Sequence, residues 1–189
     1  MTELSPKAKV YMLVNKMDKV DEERRGAIIS NKKNQFQPKS SNFQIEFYPT
    51  SIWETSTYIA FSNILSEVVK KKEIIKKFLE EYGKACGADE VIIFDRKTFL
   101  VIASYSGKEF KNEERMETIS YLMKKFKSPN SEVTNKFSEL VINNKVNTIY
   151  LDEFTRNSYI LVALSNKKIS LELLKLNMKF GKKEFDDYQ

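Results

Sequence analysis

The chain has 189 residues, 41% of them hydrophobic and 31% charged, which is enough apolar material for a packed core and allows one large domain or two small ones. It has no histidine and one cysteine, Cys86, which excludes a Cys/His zinc site, a His-based triad and an intramolecular disulfide, and no apolar run is long enough to span a bilayer. The formal net charge of +6 suits an acidic partner, an anionic lipid surface or nucleic acid, but more often marks a solvated basic surface.

Residues 1–9 carry no apolar h-region, so no signal peptide is expected. Val10 to Val14 is an apolar run that stops at Asn15-Lys16-Met17-Asp18. It reads as a buried strand whose carboxyl end opens into a loop, the end at which open α/β sheets place ligands. The loop's chemistry suits guanine, which presents N7 and O6 as acceptors and N1–H and N2–H2 as donors. The Asp18 carboxylate can take both donors, and the Asn15 amide can serve an acceptor. Lys16 can lay its stem on the base with the ammonium outward, and Met17 needs no role. The competing reading is a polar turn between strand and helix, because short motifs of this kind recur by chance.

Asp21 is expected to cap a helix running to about Lys33, with Glu22 and Glu23 in its first turn. Its apolar content, chiefly Ala27, Ile28 and Ile29, marks it as peripheral. Phe43 to Tyr48 reads as a second strand, closed by Pro49. Thr50-Ser51-Ile52-Trp53 follows. A tight Thr-Ser loop there offers backbone N–H groups to a guanine O6, or else serves as a helix N-cap; the two readings are compatible. From Thr55 a helix carries Tyr58, Phe61, Ile64, Leu65, Val68 and Val69 at three- and four-residue steps, a stripe expected to face the core.

Lys70-Lys71-Lys72 with Lys76 and Lys77 is the densest positive patch. It reads as a solvated helix end and domain junction. A nucleic-acid site would also offer aromatic platforms or clustered arginines, and neither is present. Residues 1–71 thus read strand, helix, strand, helix. Two parallel strands and two helices cannot cover both sheet faces, so this looks like the tail of a larger doubly wound domain.

The second region, 72–189, has a different grammar. Ile74, Ile75, Phe78, Leu79, Tyr82 and Ala85 make an amphipathic helix that stops near Gly83 to Gly87. Val91 to Phe94 and Thr98 to Ser104 form a hairpin around Asp95-Arg96-Lys97. A helix capped by Asn112 buries Met116, Ile119, Leu122, Met123 and Phe126. Strands Lys136–Ile142, Val146–Leu151 and Tyr159–Leu164 follow, with turns at Asn143-Asn144-Lys145 and Thr155-Arg156-Asn157. Ser170 caps a last helix with Leu173, Leu174, Leu176 and Phe180. The order α-β-β-α-β-β-β-α predicts a five-stranded antiparallel sheet in an α+β domain. Nothing in it reads as catalytic. Asp95, Asp152 and Glu153 are turn carboxylates without partner signals, and Cys86 is a buried, inert thiol. Hairpin sheets of this kind more often form protein–protein platforms.

The five glycines, at 26, 83, 87, 107 and 181, form neither G-x-x-x-x-G-K-[ST] nor G-x-G-x-x-G, so no phosphate-cradling loop is read in this sequence. Four stretches carry a family resemblance: KVYMLVNKMD at 9–18, TSIWETSTYIAFSNIL at 50–65, ADEVIIFDRKTFLVIASY at 88–105 and TIYLDEFTRNSYILVALS at 148–165. The chain resembles the carboxyl-terminal part of a Rag-type GTPase of the A/B class over nearly its whole length. The resemblance implies that 1–71 is the end of a Ras-like P-loop G domain, an α/β remnant, and that 72–189 is an α+β roadblock-like (longin-like) dimerisation domain. It identifies Asn15, Lys16 and Asp18 with the guanine-specificity motif, where the A/B class often has histidine in place of Asn15. It matches Ser51 and Ile52 by position to the second base-contacting loop.

The family's phosphate loop, switch segments and magnesium ligands match nothing here. The parent family hydrolyses GTP; whether this chain is an enzyme stays open. The resemblance implies GTP or GDP in the complete protein, with magnesium held by the part not matched, and no nucleotide tightly bound to this chain. The implied partners are a C/D-class Rag-like protein, a roadblock scaffold complex and the TOR kinase complex, with no nucleic acid and no direct membrane insertion. The implied place is the cytoplasm, with recruitment to the lysosomal or vacuolar surface when amino acids are plentiful. Two readings remain: a piece of a GTP-binding switch protein that works as a heterodimer, or a nucleotide-free roadblock-type scaffold.

Overall fold

Val10–Val14 forms strand β1, and it pairs in parallel with β2, Ile45–Pro49, in a register running from Val10↔Ile45 to Val14↔Pro49. The structure is a computed structural model describing residues 8–40, 45–69, 72–107, 119, 121, 139–143, 148–165 and 169–187. The connection between the two strands is helix α1, Glu22–Phe36, as parallel pairing requires a crossover. Asp21 stands at its N-cap, but its side chain caps no N–H; the acidic pair Glu22 and Glu23 faces the positive end of the helix dipole instead. No residue of α1 is buried, consistent with its meagre apolar content.

Helix α2, Ser56–Val68, corrects one expectation. Its apolar stripe is not the face that goes under cover. Phe61 is 46% exposed and Val68 63%, Tyr58, Ile64 and Leu65 are half-buried, and the buried residues are Ala60 and Ser62. A two-stranded sheet presents too little surface to bury the larger side chains. The chain divides into two units, Met1–Ile64 and Leu65–Gln189. The division falls inside α2 rather than after residue 71, because Val69 packs against the core of the second unit.

In the second unit, helix α3 (Lys72–Cys86) precedes strands β3 (Glu90–Asp95), β4 (Val101–Ser106), β5 (Glu139–Asn143), β6 (Thr148–Thr155) and β7 (Ser158–Leu164), and helix α4 (Leu171–Asp187) closes it. The strands form one antiparallel sheet in the order β4-β3-β7-β6-β5. Alternation along the strands divides the core. Val91, Ile93, Ile160, Val162 and Leu164 pack with Phe78, Leu79, Tyr82, Leu174 and Met178 of the two helices. Ile92, Phe94, Leu151, Tyr159 and Leu161 occupy the other face with Phe99, and Ile119 packs against them. Asn112, Met116, Leu122, Met123 and Phe126 of the expected middle helix lie outside the described residues, as do Lys136 at the start of the third predicted strand and the Asn144-Lys145 turn.

Local chemistry sets the element ends. Gly87, at φ +59°, terminates α3: its N–H reaches Lys84 O at 3.1 Å and Ala88 N–H reaches Gly83 O at 2.8 Å, the paired bonds of a Schellman stop. Ser170 Oγ accepts Leu173 N–H at 3.1 Å, capping α4 as expected. Asp95, read as a turn carboxylate, builds its own turn. Its Oδ2 accepts Lys97 N–H (3.1 Å), Thr98 N–H (2.8 Å) and the Thr98 hydroxyl (2.7 Å).

Gly83 lets α3 approach β4. A Cβ there would overlap the Tyr105 ring, whereas one on Gly26, also helical, would meet nothing within 4 Å. Gly83→Ala is therefore expected to destabilise the second unit by roughly 1–3 kcal/mol through overpacking. Gly26→Ala should raise helix stability by about 0.5–1 kcal/mol. Paired denaturant titrations distinguish them; equal effects would refute the close approach.

Candidate functional site

At the carboxyl ends of β1 and β2 the chain turns twice, and the two turns are laced together. Thr50 N–H donates to Val14 O at 2.9 Å, and Met17 N–H donates to Thr50 O at 3.1 Å. The Thr50 hydroxyl donates to Asn15 Oδ1 at 3.1 Å, and the Ser51 hydroxyl donates to Asp18 Oδ1 at 2.5 Å. Residues 15–18 and 50–51 are thus one structural corner although more than thirty positions separate them in sequence. Met17, assigned no role in the ligand, is the plug beneath this corner at 2% exposure.

The structure orients each polar group. With Asn15 Oδ1 held by Thr50, its amide N–H2 is left to donate. With Asp18 Oδ1 held by Ser51, its second carboxylate oxygen is left to accept. Asn15 and Lys16 are exposed and Asp18 half-buried. Lys16 adopts the left-handed conformation, φ 66° and ψ 32°, which costs a non-glycine residue about 1 kcal/mol. This bend starts the short 3-10 turn Met17–Lys19, which carries Asp18.

Ser51 is fully buried, and its N–H is already given to Ser56 Oγ at 2.9 Å. Trp53 N–H goes to Ser51 Oγ at 3.1 Å and Glu54 N–H to Ser51 O at 3.3 Å. Among the described residues nothing accepts from the Ile52 N–H, so Ile52 rather than Ser51 is the backbone donor this loop still has to offer. Ile52 and Trp53 are 73% and 81% exposed.

Sequence reasoning missed Thr50 as an anchor and missed Arg25 and Glu54 altogether. Arg25 Nη1 and Nη2 donate to Glu54 Oε2 and Oε1 at 3.1 and 2.8 Å, and its Nε donates to Val20 O at 3.1 Å. The Glu54 hydrogen bond raises the guanidinium's already high pKa. No local spacing signals a pair 29 positions apart.

The second unit offers no comparable array of unused polar groups among its described residues. Asp152 and Glu153, read as turn carboxylates without partner signals, lie in β6, where Asp152 accepts from Lys182 at 2.6 Å and Glu153 pairs with Arg96 at 2.5 Å. These join α4 to β6 and the β3–β4 turn to β6. Burial pushes the Cys86 thiol pKa up, as for an inert core thiol, and Asn177 Nδ2 lies 3.6 Å from its sulfur. In the lysine patch, Lys72 pairs with Glu67 at 2.7 Å, Lys76 with Glu73 at 4.0 Å and Lys77 with Glu81 at 3.8 Å. Lys70 and Lys71 lie outside the described residues.

Comparison with known proteins identifies the family. Residues 1–123 match the Gtr1/RagA G protein conserved region. The rat Ras-related GTP-binding protein B is 32% identical over 182 residues, 96% of this chain and 49% of the relative. The Ras-related GTP-binding protein A of Dictyostelium discoideum is 32% identical, over 97% of this chain and 61% of the relative. The GTP-binding protein GTR1 of Saccharomyces cerevisiae is also 32% identical, over 96% and 63%. The chain spans roughly half to two thirds of the length of these relatives. Among solved structures, Myxococcus xanthus MglB superposes with a TM-score of 0.53 over 64% of this chain and 90% of its own, at 16% identity, a likeness of fold. A roadblock/LC7 domain from Streptomyces avermitilis matches over 60% of this chain and 95% of its own, with a TM-score of 0.45 and 7% identity. The fold is a strand–helix–strand–helix α/β unit followed by an α+β domain with a five-stranded antiparallel sheet, and the likeness to MglB is one of fold.

Proposed function

We propose that this chain, which belongs to the Gtr1/RagA family of G proteins, carries the guanine-reading corner of a GTP-binding switch protein together with its roadblock-like dimerisation domain. The observation that supports the reading is the lacing of the two loops. Thr50 and Ser51 hold one oxygen of Asn15 and one of Asp18, which leaves the Asn15 amide N–H2 as a donor and the Asp18 carboxylate, through its second oxygen and the remaining lone pair of the first, as an acceptor of two N–H groups. That pair complements guanine, with Asn15 toward N7 or O6 and Asp18 toward N1–H and N2–H2, while Lys16 flanks the base and Ile52 N–H serves O6.

The sequence contains no phosphate loop, so these residues supply base recognition, and the phosphates and magnesium belong to a part of the complete protein not matched here. In this reading the second unit pairs with a C/D-class Rag-like partner. The pair docks on a roadblock scaffold at the lysosomal or vacuolar surface and signals amino-acid sufficiency to the TOR kinase complex. What supports the pairing is the family membership and an antiparallel sheet whose outer strands, β4 and β5, each pair on one side among the described residues.

Calorimetric titration with GDP, and with ADP as control, tests the base reading. Base contacts alone predict a dissociation constant in the millimolar range, about −4 kcal/mol, with GDP preferred. Equal binding of GDP and ADP would refute it. A second reading, a nucleotide-free roadblock-type scaffold, draws on the uneven packing: α1 buries nothing, while β3 and β7 are buried nearly throughout. It predicts that neither nucleotide binds.

A further inference from the structure

We propose that the Arg25–Glu54 pair is a positioning clamp that holds the turn after β1 against the turn after β2 and thereby sets the base preference of Asn15 and Asp18. The inference rests on the guanine reading of that corner. Arg25 projects from α1 and gives three N–H groups of its planar fork to the two turns. Nη1 and Nη2 form parallel bonds to the two Glu54 oxygens, at 3.1 and 2.8 Å, and Nε takes Val20 O at 3.1 Å. A single guanidinium thus grips the exit of the first turn and the exit of the second. Lysine has a compact ammonium without this fork and cannot hold three acceptors in one plane.

Two further features give the clamp its importance. Helix α1 has no buried residue, so apolar packing contributes little to fixing its place over the turns. The other cross-links between the turns, from Asn15, Met17 and Asp18, all end at Thr50 or Ser51. Among the described residues, the hold beyond Trp53 falls to Glu54 and Arg25. Ser51 itself stays tied to the start of α2, its N–H to Ser56 Oγ at 2.9 Å and its carbonyl to the Thr57 hydroxyl at 2.7 Å, so releasing the pair loosens only the far end of the 51–54 turn and with it the grip of the Ser51 hydroxyl on Asp18. The consequence is a carboxylate that rotates, which weakens discrimination between bases before it weakens the fold.

The test uses the full chain with Arg25→Gln, Glu54→Gln, the double variant and Arg25→Lys. Two readouts are taken: amide exchange at Met17 and Trp53, whose N–H groups bond Thr50 O and Ser51 Oγ, and the GDP-over-ADP preference. Each single variant is expected to speed exchange at these two amides about fivefold, the upper range for a partly exposed pair, with β3 and β7 amides unchanged. The GDP preference should fall by a similar factor. The double variant should be no worse than Arg25→Gln alone, since removing the guanidinium already removes both Glu54 bonds along with the one to Val20 O. Arg25→Lys should stay defective. Unchanged exchange in either single variant, effects that add in the double, or full function in Arg25→Lys would each overturn the clamp. Absence of any GDP preference in the unaltered chain would instead overturn the guanine reading, and amide exchange would then decide separately whether the pair fixes the turns.

Discussion

Asp18→Asn is expected to abolish the preference for guanine and replace it with one for xanthine. The Ser51 hydroxyl holds one oxygen of Asp18 at 2.5 Å. In the variant the amide oxygen keeps that bond, and the amide N–H2 takes the place of the free carboxylate oxygen. A donor now faces the guanine N2–H2, where two donors repel, but it faces the 2-oxo group of xanthine, where it can bond. Hydrogen bonds to charged groups contribute about 1.5–3 kcal/mol, so GDP affinity should fall roughly tenfold to a hundredfold. Titration with GDP and with xanthosine diphosphate reads both changes. Retained GDP preference would mean that Asp18 does not face the base.

The second large effect is a contrast in stability between the units. Among the described residues of the first unit the buried apolar side chains are Met17, Ile45 and Ala60. In the second, Val91, Ile92, Phe94, Ile160 and Val162 are wholly inaccessible, and β3 is flanked on both sides by antiparallel neighbours. Exchange from β3 and β7 should require opening of the whole second unit, whereas β1 and β2 open locally. Amides of residues 10–14 and 45–49 are expected to exchange at least about a hundredfold faster than those of 90–95 and 158–164, a difference of about 2.7 kcal/mol. Equal protection would mean that the first unit has found another partner, such as a second copy of this chain.

Much of this fold is legible in the sequence because the deciding interactions are local. The apolar run at Val10–Val14, the stop at Gly87 and the cap at Ser170 each depend on residues within a turn of one another, and each stands where expected. The stripe on α2 misleads because periodicity reports which residues are apolar, not whether a facing surface exists to cover them. Two strands do not provide it, and Phe61 and Val68 remain out. Asn15, Lys16 and Asp18 announce themselves as a tetrapeptide. Their orientation does not, since it is set by Thr50 and Ser51 from a distant turn. Ser51 reads as a backbone donor, whereas its buried hydroxyl orients Asp18. Arg25 and Glu54 look like ordinary surface charges until the fold brings them within 3 Å.

The most direct measurement is a two-dimensional NMR titration of the uniformly labelled chain with GDP and, separately, with ADP. The guanine reading predicts amide shifts confined to residues 15–18 and 50–54 with GDP, and much smaller shifts there with ADP. Shifts centred on Lys72, Lys76 and Lys77, or equal responses to the two nucleotides at the corner, would contradict it.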